Sequence, residues 1–260
     1  MIEFIKKYWK TIAFFVVVGL VGGFFTGLYL LDSYPAEIRQ QLLKELAAQG
    51  LDVIPIDIMM GVVAAFQTAG YGLVLGAVGI FLSKKIGLWK DEKNLTKKPL
   101  MAATVVSVIG GLALILLDIF FFGKHSQIIM DSYANKPTVF FALASVLYGG
   151  VIEEVMLRLF TMSLVAFILH KVFDRKREKP SEGILIVANV VSAALFAVGH
   201  LPATYALMGL TPLILLRCFL LNGGIGLLFG WLYRKYGLRY AMIAHAGCHV
   251  ISKLIWIFFI

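Results

Sequence analysis

Long apolar stretches separated by short polar segments are the main pattern along this chain. They lie near residues 11–31, 56–82, 99–122, 139–169, 183–202, 211–232 and 240–260. Each has about the 20 residues that a helix needs to cross the hydrocarbon core of a bilayer. Residues 203–211 either extend a neighbouring stretch or re-enter the membrane, so the pattern allows six to eight spans. It predicts an all-α fold, a polytopic transmembrane helical bundle of about seven spans.

The two halves of the chain differ in what interrupts their apolar stretches. In residues 1–137 the most regular feature is the four-residue spacing of Gly19, Gly23 and Gly27, which lets helices approach closely. The polar residues that need an explanation lie mostly in residues 138–260. We therefore expect one membrane domain over residues 1–260, in which the N-terminal spans form a scaffold for the spans that carry the catalytic motifs.

Composition supports a membrane protein. Hydrophobic residues make up 60% of the chain and charged residues 15%, with a mean hydropathy of +0.88. A soluble domain has about 45–50% apolar and about 25% charged residues. The first stretch is longer than the apolar core of a secretory signal peptide, so we expect it to be retained as a membrane anchor.

The net charge of +9 follows the loops between the spans and does not indicate nucleic-acid binding. One set of segments carries seventeen basic residues: Lys6, Lys7, Lys10, Lys84, Lys85, Lys90, Lys93, Lys97, Lys98, Lys171, Arg175, Lys176, Arg177, Lys179, Arg234, Lys235 and Arg239. The alternate segments carry only Arg39, Lys44, Lys124 and Lys136. Because basic loops stay in the cytoplasm, this asymmetry predicts an integral protein of the cytoplasmic membrane with a cytoplasmic N-terminus. The basic segments also favour contact with anionic lipid of the bilayer.

The first polar cluster of the C-terminal half is Glu153, Glu154 and Arg158, inside the apolar stretch 139–169. A charge at the bilayer centre costs about 2.5–3.5 kcal/mol or more, so three within six residues indicate a function. Glu154 and Arg158 are an i, i+4 pair with the acid first, which predicts a structural ion pair. Glu153 lies about 100° around an α-helix from that pair, so we expect it to be the free carboxylate and a general base. A purely architectural ion cluster is the alternative.

The second cluster is a polar stripe, formed by Asn189, Ser192, Phe196 and His200 at spacings of three, four and four residues. Such a stripe through an apolar span normally faces the bundle interior or a water-filled cavity. A histidine that only bonds to a neighbouring helix is as compatible with this pattern as a functional one.

The third cluster is His245 and His249, another i, i+4 pair whose imidazoles point the same way. Zinc proteases use this spacing in H-E-x-x-H, but Ala246 occupies the position of the glutamate here, so an acid must come from another helix. Glu153 is the candidate. Together, Glu153, His200, His245 and His249 form a three- or four-ligand set that suits either a catalytic zinc ion or an acid/base site acting on water.

Three further charges lie in apolar stretches. Asp118 is expected to be an interfacial or structural group, and no partner for Arg217 can be identified from the sequence. Lys253 continues the stripe of His245 and His249, and we expect its ammonium group to reach towards the outer surface.

These clusters resemble the CPBP family of intramembrane proteases, which includes the type II CAAX prenyl endopeptidases and the bacterial Abi bacteriocin-processing and self-immunity proteins. The family motifs E-E-x-x-x-R, F-x-x-x-H and H-x-x-x-N/D are matched here by residues 153–158, 196–200 and 245–249. The approach to the third motif, residues 226–238, is also similar. Order and spacing match over roughly residues 145–255. Position 249 departs from the family, because His249 stands where asparagine or aspartate is usual.

The resemblance implies an intramembrane endopeptidase in which Glu153 and His200 activate water, while His245 and His249 bind a metal or stabilise the oxyanion. Glu154, Arg158, Phe196 and Asn189 are then supporting residues. The cofactor expected from the ligand set is zinc, and a metal-free mechanism that depends on Glu153 stays open beside it. The implied partner is a membrane-associated peptide or protein substrate, prenylated or not. Two alternatives stay open: a non-enzymatic immunity or regulatory protein of the same fold, and a divalent-cation transporter built on the same ligands.

Overall fold

Helices make up nearly all of the structure. The computed structural model describes residues 2–33, 36–50, 55–91 and 94–260, so the predicted cytoplasmic Lys93 lies outside the described residues. Within these ranges there are nine helices: α1 (Ile2–Ser33), α2 (Ala36–Ala48), α3 (Ile56–Lys85), α4 (Lys97–His125), α5 (Gln127–Asp131), α6 (139–173), α7 (Glu182–Met208), α8 (Pro212–Tyr236) and α9 (Leu238–Phe259). No β-strand occurs in the described part of the chain. The predicted all-α bundle is confirmed.

Six of the described helices, α1, α3, α4, α7, α8 and α9, are long and apolar enough to cross a membrane. This number lies within the predicted range of six to eight. The remaining predicted span, 139–169, is also helical as part of α6, but it carries the three charges of the first motif in its middle. Residues 203–208 extend α7, which ends at Gly209 with φ +69°. Large apolar side chains such as Phe66 are exposed on the outer helix faces, as expected for contact with lipid.

The helix that carries the first motif is not a regular α-helix. Residues Ser145–Glu153 and Val155–Met162 are π-helical, and a shorter π-helical segment, Phe219–Gly224, lies in α8. The i to i+5 bonding of a π-helix widens the turn, and such segments occur often at functional sites. The angle of 100° per residue that the sequence reasoning assumed therefore holds only in part for α6.

Glycine allows α1 and α3 to pack with their backbones almost in contact. A Cβ atom at Gly23 would lie 2.5 Å from the carbonyl oxygen of Ala64, and one at Gly27 would lie 2.3 Å from that of Met60. The close approach that the glycine spacing predicts is present. This pair packs in turn on α6, where a Cβ atom at Gly79 would lie 2.8 Å from the side chain of Leu159.

The basic segments lie together at one end of the bundle. Lys84 donates to the hydroxyl of Tyr8 at 2.5 Å, and Lys7 lies 3.8 Å from Asp91. Two clefts at this end share Leu88 and are lined by basic side chains from four predicted cytoplasmic segments: Lys7, Lys10, Lys90, Lys179, Arg234, Lys235 and Arg239. The grouping agrees with the charge pattern, and the cytoplasmic location of this end stays a prediction.

Candidate active site

Arg158 and Glu154 are fully buried in the centre of the bundle, each with 0% exposure. Nε of Arg158 lies 3.5 Å from Oε2 of Glu154, so the predicted i, i+4 contact is present. Nη2 of Arg158 donates to the carbonyl oxygen of Gly226 at 2.9 Å. Its guanidinium carbon also lies 5.0 Å from the ring centre of Phe196 and 5.7 Å from that of Phe229. Arg158 thus ties α6 to α7 and α8 as well as to Glu154.

The imidazole of His245 lies between the two glutamates of the first motif. Its Nδ1 is 2.9 Å from Oε1 of Glu154, and its Nε2 is 3.8 Å from Oε2 of Glu153. Because a carboxylate only accepts, Nδ1 carries a proton and donates it to Glu154. The ring of Phe229 stacks on the imidazole at 4.4 Å between centroids and fixes its plane. Nε2 is thereby directed towards Glu153.

His249 stacks on His245, with ring centroids 5.0 Å apart, and faces the backbone of α6. A Cβ atom at Gly149 would lie 2.9 Å from Nε2 of His249 and 3.6 Å from Oε2 of Glu153. The missing side chain at Gly149 therefore lets His249 approach the backbone of α6 closely, next to the carboxylate of Glu153. Nδ1 of His249 is buried without a hydrogen-bond partner in the described part of the chain.

His200 is half-buried on α7, one helical turn beyond Phe196. Its Nδ1 lies 2.8 Å from the carbonyl oxygen of Phe196, which only accepts, so Nδ1 donates and Nε2 keeps a free lone pair. The Phe196 ring contacts both His200, at 4.8 Å, and His245, at 5.6 Å. Phe196 is thus the contact between the second and third motifs, and no hydrogen bond or ion pair joins His200 to Glu153, His245 or His249 among the described residues.

The polar stripe of α7 faces the interior of the bundle. Nδ2 of Asn189 donates to the carbonyl oxygen of Leu227 at 3.0 Å, and the hydroxyl of Ser192 donates to that of Leu157 at 2.7 Å. Asn189 therefore joins α7 to α8, in the segment 226–238 that precedes the third motif. Ser192 joins α7 to α6. Both residues support the cluster and do not line it.

A zinc site does not follow from this arrangement. The structure brings Glu153 and His245 together, but no group of three or more His, Cys, Asp or Glu side chains that could hold a metal ion occurs within residues 2–33, 36–50, 55–91 and 94–260. The donor set as arranged does not fit a four-coordinate zinc ion, which needs at least three protein ligands at a catalytic site.

Several contacts of the site could not be found from the sequence. They all join different helices: the hydrogen bond of His245 to Glu154, the stacking of Phe229 on His245, and the hydrogen bond of Arg158 to the carbonyl oxygen of Gly226. The Gly149–Gly150 pair, two residues before the glutamates, was a usable signal, because small residues near buried polar groups mark close helix contact. Gly150 indeed faces the backbone of Ala246, with a Cβ distance of 2.6 Å to its side chain.

Arg217, for which the sequence offered no partner, pairs with Asp118. Its Nε donates to Oδ1 of Asp118 at 2.7 Å and its Nη2 donates to Oδ2 at 2.5 Å. The hydroxyl of Tyr133 donates to the same carboxylate at 2.8 Å. Asp118 is 1% exposed and paired, so it is a structural group within the bundle, one of the two roles expected for it.

Comparison with known proteins gives one finding. The family described as Type II CAAX prenyl endopeptidase Rce1-like matches residues 135–251, a segment that contains all three motifs, the whole of α6 and α7, and the first part of α9. The resemblance to the CPBP family is confirmed over this segment. No curated protein and no solved structure matches the chain.

Proposed function

Since residues 135–251 of this chain belong to the type II CAAX prenyl endopeptidase family, we propose that the protein is an intramembrane endopeptidase that hydrolyses a peptide bond of a membrane-associated substrate. One observation carries the proposal. The carboxylate of Glu153 lies 3.8 Å from Nε2 of a histidine whose other nitrogen is held by a buried glutamate. A free carboxylate beside an oriented imidazole is the pairing that acid/base chemistry on water requires.

The proposed reaction begins with a water molecule beside Glu153. Glu153 takes one proton, assisted by the free Nε2 of His200, and the water oxygen attacks the carbonyl carbon of the substrate. The tetrahedral intermediate carries its negative charge on the former carbonyl oxygen. As the C–N bond breaks, the leaving nitrogen takes the proton back from Glu153. The products are a new carboxyl group and a new amine, so atoms and protons balance.

His245 and His249 are the proposed oxyanion ligands. Nδ1–H of His245 is donated to Glu154, so Nε2 donates as well when the ring is an imidazolium. With His245 as an imidazolium, the charges of the cluster sum to zero, because the two cations balance Glu153 and Glu154. This lowers the electrostatic cost of burying the cluster. The stacked His249 offers a second donor beside it. A donor of this kind contributes about 10²–10³-fold to a rate. Histidine can thus take the role that the family's usual asparagine or aspartate has at position 249.

The apolar helices around the site and the family match support a membrane-associated substrate. An apolar chain or helix reaches a site between α6, α7 and α9 by moving sideways from the bilayer. A prenylated C-terminal peptide is therefore the first substrate to test, followed by a leader peptide and a membrane-protein segment.

Exchange of Glu153 tests the proposal directly. Detergent-purified protein is given an internally quenched, farnesylated C-terminal peptide, and the cleaved bond is identified by mass spectrometry. Glu153→Gln should lower the rate by about 10²–10⁴-fold, the usual contribution of a general base, in protein that thermal unfolding shows to be folded. Glu178→Gln makes the same chemical change on an exposed residue and should match the wild type. Cleavage by Glu153→Gln at the wild-type rate would refute the proposed role.

Zinc binding remains a prediction with its own measurement. If it is right, the purified protein carries about one zinc per chain by elemental analysis, and His200→Ala loses it, whatever the activity. An active protein without zinc would assign water activation to Glu153 and His200 alone. Zinc in an inactive protein, with flux across proteoliposomes, would support the transporter alternative.

A further inference from the structure

The larger of the two clefts at the basic end of the bundle has a volume of about 480 Å³. This lies within the range of about 300–1,000 Å³ that small-molecule sites have. Three parts of the chain form the cleft: α1 at residues 7–15, the segment between α3 and α4, and the junction of α8 with α9. We call it the basic cleft, because it is lined by Lys7, Lys10, Lys90 and Arg239.

Two cations of the basic cleft have no acidic partner among the described residues. Lys7 lies 3.8 Å from Asp91, which is the one acidic residue among the described residues that line the cleft. The ammonium group of Lys10 lies 5.7 Å from the ring centre of Trp9, and a ring carries no net charge. Neither Lys10 nor Lys90 forms an ion pair within the described part of the chain. The cleft therefore carries an excess of positive charge.

The walls of the basic cleft are held by contacts between its three parts. A Cβ atom at Gly237, where φ is +105°, would lie 3.0 Å from Cγ of Lys90, so the lysine stem packs on the turn before α9. The ring of Trp89 meets the ring of Tyr8 edge-on, with centroids 5.7 Å apart. The segment between α3 and α4 is thus fixed against both α1 and the start of α9. A site held in this way loses little conformational freedom when a ligand binds.

The side of α1 that lines the cleft changes from basic to apolar along the helix. Lys7, Lys10 and Phe14 lie on one helix face, because they are spaced by three and four residues. At 1.5 Å per residue, they cover about 10 Å of the helix axis. Phe14 is 50% exposed. The order from the helix end inwards, cations and then an apolar ring, is the order of headgroup and acyl chain in a phospholipid.

We propose that the basic cleft binds the phosphate group of one anionic phospholipid, with Lys10 and Lys90 against the phosphate and an acyl chain along Phe14. The charge pattern of the chain indicates a general preference for anionic lipid, whereas the basic cleft selects a single molecule at a fixed place. Basic pockets between membrane helices bind anionic headgroups in this way. The lipid joins α1 to the start of α9, so it stabilises the folded bundle. The site does not depend on the proposed endopeptidase function.

Binding of defined lipids tests the proposal. Wild-type protein in dodecyl maltoside micelles is titrated with dioctanoyl phosphatidylglycerol or dioctanoyl phosphatidylcholine, and native mass spectrometry counts the lipid molecules bound per chain. Phosphatidylglycerol should saturate at one molecule and bind more tightly than phosphatidylcholine, which has no net charge. Lys10→Gln combined with Lys90→Gln should weaken its binding by about 30-fold, the contribution of two lysine charges beside an anionic headgroup. Lys10→Arg combined with Lys90→Arg keeps both charges and should keep most of the affinity.

The acyl chain distinguishes a lipid from a soluble phosphate as the ligand. Glycerophosphoglycerol has the same headgroup without acyl chains, so it should displace phosphatidylglycerol only at a concentration at least about 10-fold higher than the lipid needs. Phe14→Ala should weaken the binding of phosphatidylglycerol by about 5-fold, because part of the apolar contact is lost. Phe66→Ala, at an exposed ring of α3, is the matched control and should have no effect.

Two exposed cations in other segments provide the control for charge. Lys44→Gln combined with Lys124→Gln removes the same number of charges and should leave the affinity unchanged. An equal loss in this control would overturn the site, because the lipid would then respond to the overall charge of the protein. Equal affinities for the two lipids, no bound phosphatidylglycerol, or displacement by glycerophosphoglycerol at the concentration of the lipid itself would each overturn it as well. The exchanged side chains are exposed, so thermal midpoints without added lipid should match the wild type.

Discussion

The α1–α3 pair and the polar cluster around Arg158 show two different ways of holding helices together in a membrane. In the first, glycines bring backbones within about the distance of van der Waals contact, and Gly23 and Gly27 face the carbonyl oxygens of Ala64 and Met60. In the second, side chains with charge or hydrogen-bonding groups cross between helices, as Arg158 does to Gly226 and His245 does to Glu154. The first arrangement depends on shape and the second on the pairing of charged and polar groups, so they should fail differently.

The largest effect on stability is expected in the polar cluster. Arg158→Met removes the cation and leaves Glu154 as a buried carboxylate with only His245 as partner. Breaking a buried pair in this way lowers the free energy of unfolding by about 3–5 kcal/mol. Denaturant unfolding in detergent micelles measures the change. Arg177→Met is the matched control, because its ion pair with Asp174 is 65% exposed on the arginine side and should contribute less than about 1 kcal/mol.

A second substitution sharpens this result. Glu154→Gln combined with Arg158→Met removes both charges, so it should recover part of the stability that Arg158→Met loses. A double variant less stable than Arg158→Met by a further 3 kcal/mol or so would mean that the cluster is not held by pairing of charges.

An intermediate effect is expected in the glycine contact. Gly27→Ala would place a Cβ atom 2.3 Å from a backbone oxygen that has little room to move, so α1 must shift away from α3. Overpacking of this kind costs about 1–3 kcal/mol. Gly70→Ala, in α3, meets no atom within 4 Å and should be neutral or stabilising by up to about 1 kcal/mol, because alanine favours the helix. Thermal unfolding of both variants measures the difference. Equal shifts of the thermal midpoint in Gly27→Ala and Gly70→Ala would rule out close packing as the cause.

The smallest effect is expected for a single neutral hydrogen bond. Asn189→Ala removes the bond from Nδ2 to the carbonyl oxygen of Leu227 and should cost about 0.5–1.5 kcal/mol. Asn222→Ala is the comparison, because Asn222 donates to Cys218 within its own helix and joins no neighbours. If Asn222→Ala is the more damaging of the two, the contact between α7 and α8 does not depend on Asn189.

What the sequence could predict depends on how far apart the interacting residues lie along the chain. The spans and the Glu154–Arg158 contact were predictable, because hydropathy and the i, i+4 spacing are properties of a single helix. The inward direction of the α7 stripe followed in the same way. The family match over residues 135–251 agrees with the order of the three motifs.

Contacts between helices were not predictable from one sequence. Glu154 was assigned only to Arg158, yet it also accepts from His245, which lies 91 residues later. The structure places Glu153 beside His245 and stacks His249 on His245, and Phe196 contacts the rings of both His200 and His245. The π-helical segments of α6, which alter the direction of its side chains, could not be predicted from the sequence pattern. Roles of Glu153, His200, His245 and His249 in catalysis stay predictions until the variants are measured.

The ion pair between Asp118 and Arg217 also affects how the chain is inserted during synthesis. Its two members are separated by 99 residues, so α4 is made well before the arginine that neutralises its carboxylate. At about 5–20 residues per second, the delay is about 5–20 s. The α6 helix has no such delay, because Glu154 and Arg158 emerge within the same turn. We therefore expect the end of α4 to stay at the translocon or in contact with water until α8 arrives.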